Sequence, residues 1–160
     1  MSMVEIHNSV EKVYEENKET LEIFECLDEF SDTQNFCDHY GFDIEDSCNA
    51  ILIKAKKPEE FYAMFCVLGA NRLDVNHKAK EAMGAKRVSF ASREEAETVT
   101  GQIYGGISPL GLPENVKVYM DKNVIDREKL FIGAGNRVSK FFLSPEALIE
   151  LSGATVLDLT

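Results

Sequence analysis

The chain has 160 residues, 44% of them hydrophobic and 28% charged, with a formal net charge of −11; one domain with a real core over residues 1–160 is the expectation. The longest apolar run, Phe61 to Ala70, is about half the ~20 residues of a membrane helix, and the acidic N-terminus lacks the apolar stretch of a secretory signal. Cys26, Cys37, Cys48 and Cys66 form no C-x-x-C pair, and His7, His39 and His77 miss zinc-ligand spacing, so a reducing cytoplasm, no metal, no cofactor and no membrane are expected.

From the N-terminus, Ile6, Val10, Val13 and Tyr14 fall at helical spacing, which predicts an amphipathic helix from Val4 to about Lys18. Residues 1–19 are thus set apart from a core over 20–160. Leu21 to Leu27 fits a strand. Ser31 with Gln34 reads as a capping box opening a short helix that stops at Gly41. Ala50–Ile53 and Phe61–Leu68 read as central strands around a turn at Lys57-Pro58. Asp74 caps a helix running to about Met83 and ended by Gly84. Arg87–Phe90 is a short strand, and Ser92 with Glu95 opens a helix ending at Gly101.

Three more strands are expected at Val116–Met120, Lys129–Ile132 and Val138–Leu143. Ser144-Pro145 starts a final helix that stops at Gly153, and Ala154–Leu159 closes the chain as a strand. Helices and strands mix without strict alternation. The fold class expected is α+β, with a mixed, curled and partly barrel-like sheet surrounded by helices.

The charge is unevenly spread. Residues 1–50 hold 14 acidic side chains against Lys12 and Lys18, whereas residues 51–160 hold 14 acidic and 15 basic ones. Lys54, Lys56, Lys57, Arg72, Lys78, Lys80, Lys86, Arg87 and Arg93 offer a local basic face to phosphates, with salt-sensitive affinity for RNA and no expectation of DNA binding.

The most informative segment is Gly101 to Pro113, with four glycines, two prolines and no charge. Such a loop is stiff and lets a ligand approach its backbone N–H groups; a plain connection between strands is the competing reading. A second glycine turn, Gly133-Ala-Gly135, leads to Asn136-Arg137 and lacks the spacing of a phosphate-binding motif. Together the two loops are expected to line one cleft with backbone donors, able to hold an oxyanion on an acyl carbonyl beside an adenosine. A side chain at Gly106 is expected to fill that cleft. No nucleophile–base pair is legible. Ser108 is not in a G-x-S-x-G elbow, His77 reads as a surface residue and Asp74 as a cap. A hydrolase on this chain would work by positioning water against dipoles.

The order of motifs adds a resemblance. Arg72-Leu-Asp74, Met83-Gly-Ala-Lys-Arg-Val88, Ala91-Ser92, Thr100-Gly101, Gly105-Gly-Ile-Ser-Pro-Leu-Gly111, Gly133-Ala-Gly135 and Leu143-Ser-Pro-Glu-Ala-Leu148 follow one another in register. Over roughly residues 20–159 the chain resembles the YbaK/prolyl-tRNA-synthetase-associated editing domain. The resemblance implies a free-standing enzyme that hydrolyses the ester of mischarged tRNA, typically tRNA for proline carrying alanine, cysteine or another small residue. Its implied partners are the 3′ aminoacyl end of tRNA and an aminoacyl-tRNA synthetase; separately, the acidic helix around residues 4–18 offers a protein-interaction surface, for instance for docking on a synthetase.

Carried over residue by residue, the resemblance makes Gly105, Gly106 and Pro109 the acyl-pocket loop and Gly133 and Gly135 the facing turn. Gly101, Ser108 and Asn136, beside them, are assigned to substrate binding. The family pattern V-x-K-T-L places a lysine where Asn49 stands in Ser47-Cys-Asn-Ala-Ile-Leu52; Asn49 is therefore assigned with Gly105 and Gly106 to catalysis. Asn49 donates hydrogen bonds but carries no charge. Lys54, five residues on, falls on the opposite strand face and is no replacement. A non-catalytic module that binds aminoacyl ends or a small amino-acid or nucleotide ligand is the alternative.

Overall fold

The computed structural model describes residues 4–160. Helix α1 spans Asn8–Glu16, shorter than the Val4–Lys18 expected, because the His7 ring accepts from the Ser9 N–H and caps it. Val10 is fully buried, with Ile6, Val13 and Tyr14 packed beside it, so α1 lies on the main core. Strand β1 is Glu22–Glu25. Helix α2 is Thr33–Tyr40, and its cap is Asp32, whose carboxylate accepts from the Gln34 and Asn35 N–H groups. The Ser31–Gln34 box is not formed; a carboxylate one residue on is the stronger acceptor at a helix N-terminus.

The long strands follow: β2 is Cys48–Lys57 and β3 is Phe61–Leu68. A wide turn at Val75–Ala79, capped by Asp74, runs into helix α3, Lys80–Met83. Strand β4 is Arg87–Phe90, and helix α4 is Arg93–Thr100 with the Ser92–Glu95 capping box in place. Strands β5 (Lys117–Asp121), β6 (Leu130–Gly133) and β7 (Ser139–Leu143) precede helix α5, Pro145–Ser152, which the Ser144 hydroxyl caps. Strand β8, Thr155–Leu157, ends the order.

Two sheets result. One is five-stranded in the order β4-β2-β3-β5-β8; the other is three-stranded in the order β1-β7-β6. β3, β5 and β8 run parallel, and the other neighbours antiparallel. A bridge from Ser47 to Phe131 joins the sheets. Mixed strands with helices on their faces make the fold α+β, as the interrupted alternation of elements implied.

Period-two alternation divides β2 between two cores. Cys48 and Leu52 pack with Met64, Met120, Leu130 and Phe141 in the core between the sheets. Ile53 and Ala55 pack with Phe65, Leu73 and Met83 under α3. A third, aromatic cluster of Phe24, Phe36, Phe42, Phe131 and Phe142 lies under α2, its rings mostly edge-on or tilted.

Candidate functional site

Strand β2 changes neighbours halfway along. Its Ile53–Lys57 half lies between β3 and β4. Cys48 to Ile51 has β3 on one side only; on the other side β6 touches at Ser47–Phe131 and then diverges. The gap is a cleft of about 330 Å³, within the range of small-ligand sites. Asn49 and Ile51 line one wall. Ile132 and Gly133 of β6, with Tyr104, Gly105, Gly106 and Ile107 of the first glycine loop, line the other, and Thr33 and Lys140 reach it from α2 and β7.

The two glycine loops meet side by side in one wall instead of facing each other. The Gly135 N–H donates to Gly106 O at 2.7 Å, and the Ile103 N–H donates to Gly135 O at 2.9 Å. Gly106 and Gly133 are glycines because this seam leaves no room. A Cβ at Gly106 would lie 1.7 Å from the Asn136 carbonyl oxygen, and one at Gly133 would lie 2.4 Å from that of Ile107. A side chain at Gly106 therefore strikes the neighbouring backbone before it fills the cleft, contrary to expectation.

The remaining residues assigned from the sequence stand behind or beside the wall. Gly101 ends α4 in a left-handed conformation, its N–H bonded to Glu97 O. Ser108 is fully buried, and its hydroxyl accepts from the Leu110 N–H. Pro109 is buried next to it. Asn136 is buried, its Oδ1 accepting from the Val138 N–H and the Ser139 hydroxyl. Gly135 lies against the His7 ring. Gln102, which sequence reasoning passed over, braces the loop: its Nε2 donates to Leu110 O at 2.9 Å and its Oε1 accepts from the Ser108 N–H. The one amide side chain in that uncharged glycine loop was the available signal.

The donors left at the cleft are few. Among the described residues the N–H groups of Gly105 and Ile107 find no acceptor, whereas those of Tyr104 and Gly106 are bonded to Glu97 and Ile103. Asn49 accepts from the Ser47 hydroxyl at 3.3 Å, and its amide NH₂ likewise finds no acceptor among them. Cys48 also lines the cleft, but a hydrogen bond with Cys66, together with burial, pushes its thiol well above the usual range. A protonated thiol is a poor nucleophile. Tyr104 is half exposed at the mouth, with the Arg93 guanidinium 5.6 Å from its ring centre.

Lys54 is committed elsewhere. Its ammonium lies 2.7 Å from Glu95 and 3.1 Å from Glu60, and the Tyr62 hydroxyl donates to the same Glu95 oxygen. These bonds, Lys54 foremost, hold the Glu95 carboxyl down to about 2. The unforeseen residue is Lys140. It is only 6% exposed, and its ammonium donates to Ser31 O at 3.0 Å and lies over the Phe36 ring at 5.1 Å. No carboxylate is within ion-pair reach among the described residues. A lysine in the run Ser139-Lys-Phe-Phe-Leu143 reads as an outward strand position; α2 covers that face and buries it.

Comparison with known proteins places the chain in a family. The family model described as "Aminoacyl-tRNA editing domain" matches residues 28–151. The chain is 30% identical over 92 residues, 58% of its length, to a protein of Enterococcus faecalis named "Putative Cys-tRNA(Pro)/Cys-tRNA(Cys) deacylase EbsC", covering 56% of that relative. It is 33% identical over 106 residues to "Proline--tRNA ligase" of Nautilia profundicola, 65% of this chain but 18% of that one. The chain thus spans little more than half of the first relative and a small part of the second. A solved structure described as "Crystal structure of a putative trans-editing enzyme for prolyl tRNA synthetase" superposes with a TM-score of 0.82 at 24% identity, over 98% of this chain and 99% of that one. Among the described residues, no helix is long and apolar enough to cross a membrane.

Proposed function

The chain belongs to the aminoacyl-tRNA editing domain family, and from that premise we propose that it is a trans-acting deacylase of mischarged tRNA. The carrier in this reading is tRNA for proline charged with alanine, cysteine or another small residue, and the 3′ aminoacyl end enters the cleft. One observation carries the reading: Gly105, Ile107 and Asn49, whose N–H groups and side-chain amide have no acceptor among the described residues, line one small hollow.

The acyl side chain lies against Ile51, Ile107 and Ile132, which favour a small apolar group. Water adds to the ester carbonyl carbon, and the carbonyl oxygen takes up negative charge. Gly105 and Ile107 N–H are the donors that stabilise it, in a site partly withdrawn from water. The bond between the acyl carbon and the ribose oxygen then breaks, the ribose oxygen takes a proton, and free amino acid and tRNA leave. Tyr104 at the mouth offers a face on which the terminal adenine stacks. A cytoplasmic location and docking on a prolyl-tRNA synthetase complete this reading.

Asn49, uncharged, favours a second reading: a diverged module that binds aminoacyl ends without cleaving them. The two separate when wild type and Asn49→Lys are incubated side by side with a panel of mischarged tRNAs. Release of free amino acid by wild type above a buffer control supports the deacylase. Binding of tRNA without turnover by either protein supports the module.

A further inference from the structure

We propose that Lys140 is the cation of the cleft and binds an acyl or phosphate oxygen of the acylated nucleotide. The inference rests on the reading above but names a residue that reading does not use. A buried ammonium is costly unless paired, and most buried lysines find a carboxylate. Lys140 does not. Of its three N–H bonds one goes to Ser31 O, and the Phe36 ring below supplies a weaker cation–π contact. The charged groups nearby are already engaged: Arg137 bonds Asp28 at 3.0 Å, and Asp32 caps α2. Cys26 and Cys37 are neutral thiols, each raised chiefly by burial.

The placement makes the charge useful. Lys140 pairs across β7–β6 with Gly133, which has no side chain to screen it, and both residues line the cleft. Thr33, in the first turn of α2, lines the same end, and the Ser31 hydroxyl reaches toward Gly105 O at 3.5 Å. An oxygen-rich group at this end completes the ammonium's hydrogen bonds; an apolar one leaves them unmade. Lys140 thus brings positive charge to a cleft whose Asn49 wall has none. It approaches from β7 and holds an oxygen without transferring a proton.

The test uses two probes that part the sources of that oxygen. 3′-(Alanylamino)-3′-deoxyadenosine carries the acyl group without phosphate, and adenosine 5′-monophosphate carries phosphate without the acyl group. Each is titrated calorimetrically into wild type, Lys140→Met and Lys140→Arg. Lys140→Met should bind at least one probe roughly tenfold more weakly, with Lys140→Arg between it and wild type. Loss confined to the alanyl probe assigns the acyl oxygen; loss confined to the monophosphate assigns the phosphate. The melting temperature of Lys140→Met should equal or exceed wild type, so weaker binding cannot be ascribed to unfolding. Affinity within twofold of wild type for both probes, or no binding of either probe to wild type, overturns the proposal.

The deacylase reading is scored separately on mischarged tRNA. Lys140-dependent probe binding in a protein inert on tRNA keeps this inference and removes that reading. Turnover indifferent to Lys140→Met does the reverse.

Discussion

The two halves of β2 are built from one strand and treated oppositely. At Ile53–Lys57 both edges are paired, and Lys54 is held by Glu95 and Glu60. At Cys48–Ile51 one edge opens onto the cleft, Asn49 keeps its amide free, and the nearby cation, Lys140, has no carboxylate. The closed half spends its polar groups on one another; the open half leaves its own for something else. Polar satisfaction within the fold, more than residue type, distinguishes a lysine that anchors from one that awaits a ligand.

The largest expected effect breaks the open half at its seam. Gly106→Val drives a side chain into the Asn136 backbone and should cost roughly 3 kcal/mol in urea unfolding, with activity lost alongside. A stable Gly106→Val protein would mean that the loops do not meet as described. Next, Asn49→Ala removes an open-half donor and should lower kcat roughly tenfold with little change in melting temperature. Tyr104→Ala should raise KM about fivefold and spare kcat; an unchanged KM would put the adenine elsewhere.

Two smaller effects probe the lysines through pH. Burial, aided by Arg137, holds Lys140 below the usual 10.5, so the unfolded chain binds more protons in the window between the folded value and 10.5. Stability from this group therefore rises with pH there, and the cost of its buried charge is full below that window. Lys140→Met should gain about 1 kcal/mol at neutral pH in chemical denaturation, and that gain should shrink as pH approaches 10.5. Glu95 has the opposite sign. Lowered to about 2 by Lys54, the Ser92 N–H and Tyr62, it contributes stability above the usual 4.5 that is lost as pH falls toward 2. Glu95→Gln keeps the capping box but should flatten that acid limb in a melting-temperature profile, with no change in turnover.

Much of the fold was legible because its punctuation is local. Ser92 with Glu95, Ser144 before Pro145 and Asp74 act where the spacing put them. The cap at Asp32 was misplaced by one residue because Ser31 and Asp32 compete for one helix start, and only the chain's path decides. The pairing of β2 with β3 follows from two adjacent apolar runs, but the switch of β2 from β4 to a diverging β6 is a long-range fact without a local signal.

For the candidate site, the residue types pointed to two loops and no further. Gly105, Gly106 and Gly133 do line one cleft, but the sequence could not tell a glycine that faces a ligand from one that admits a neighbouring backbone. Lys140 was illegible because its burial comes from α2, more than a hundred residues earlier.

The most direct test of the cleft is an amide chemical-shift titration of the wild-type protein with 3′-(alanylamino)-3′-deoxyadenosine. The account predicts that the shifts gather on Asn49, Gly105, Ile107 and Gly133, with Lys54 and Glu95 quiet. Shifts gathered instead on Arg72–His77, which with Phe90 line a separate surface hollow, leaving the glycine seam unmoved, would contradict it.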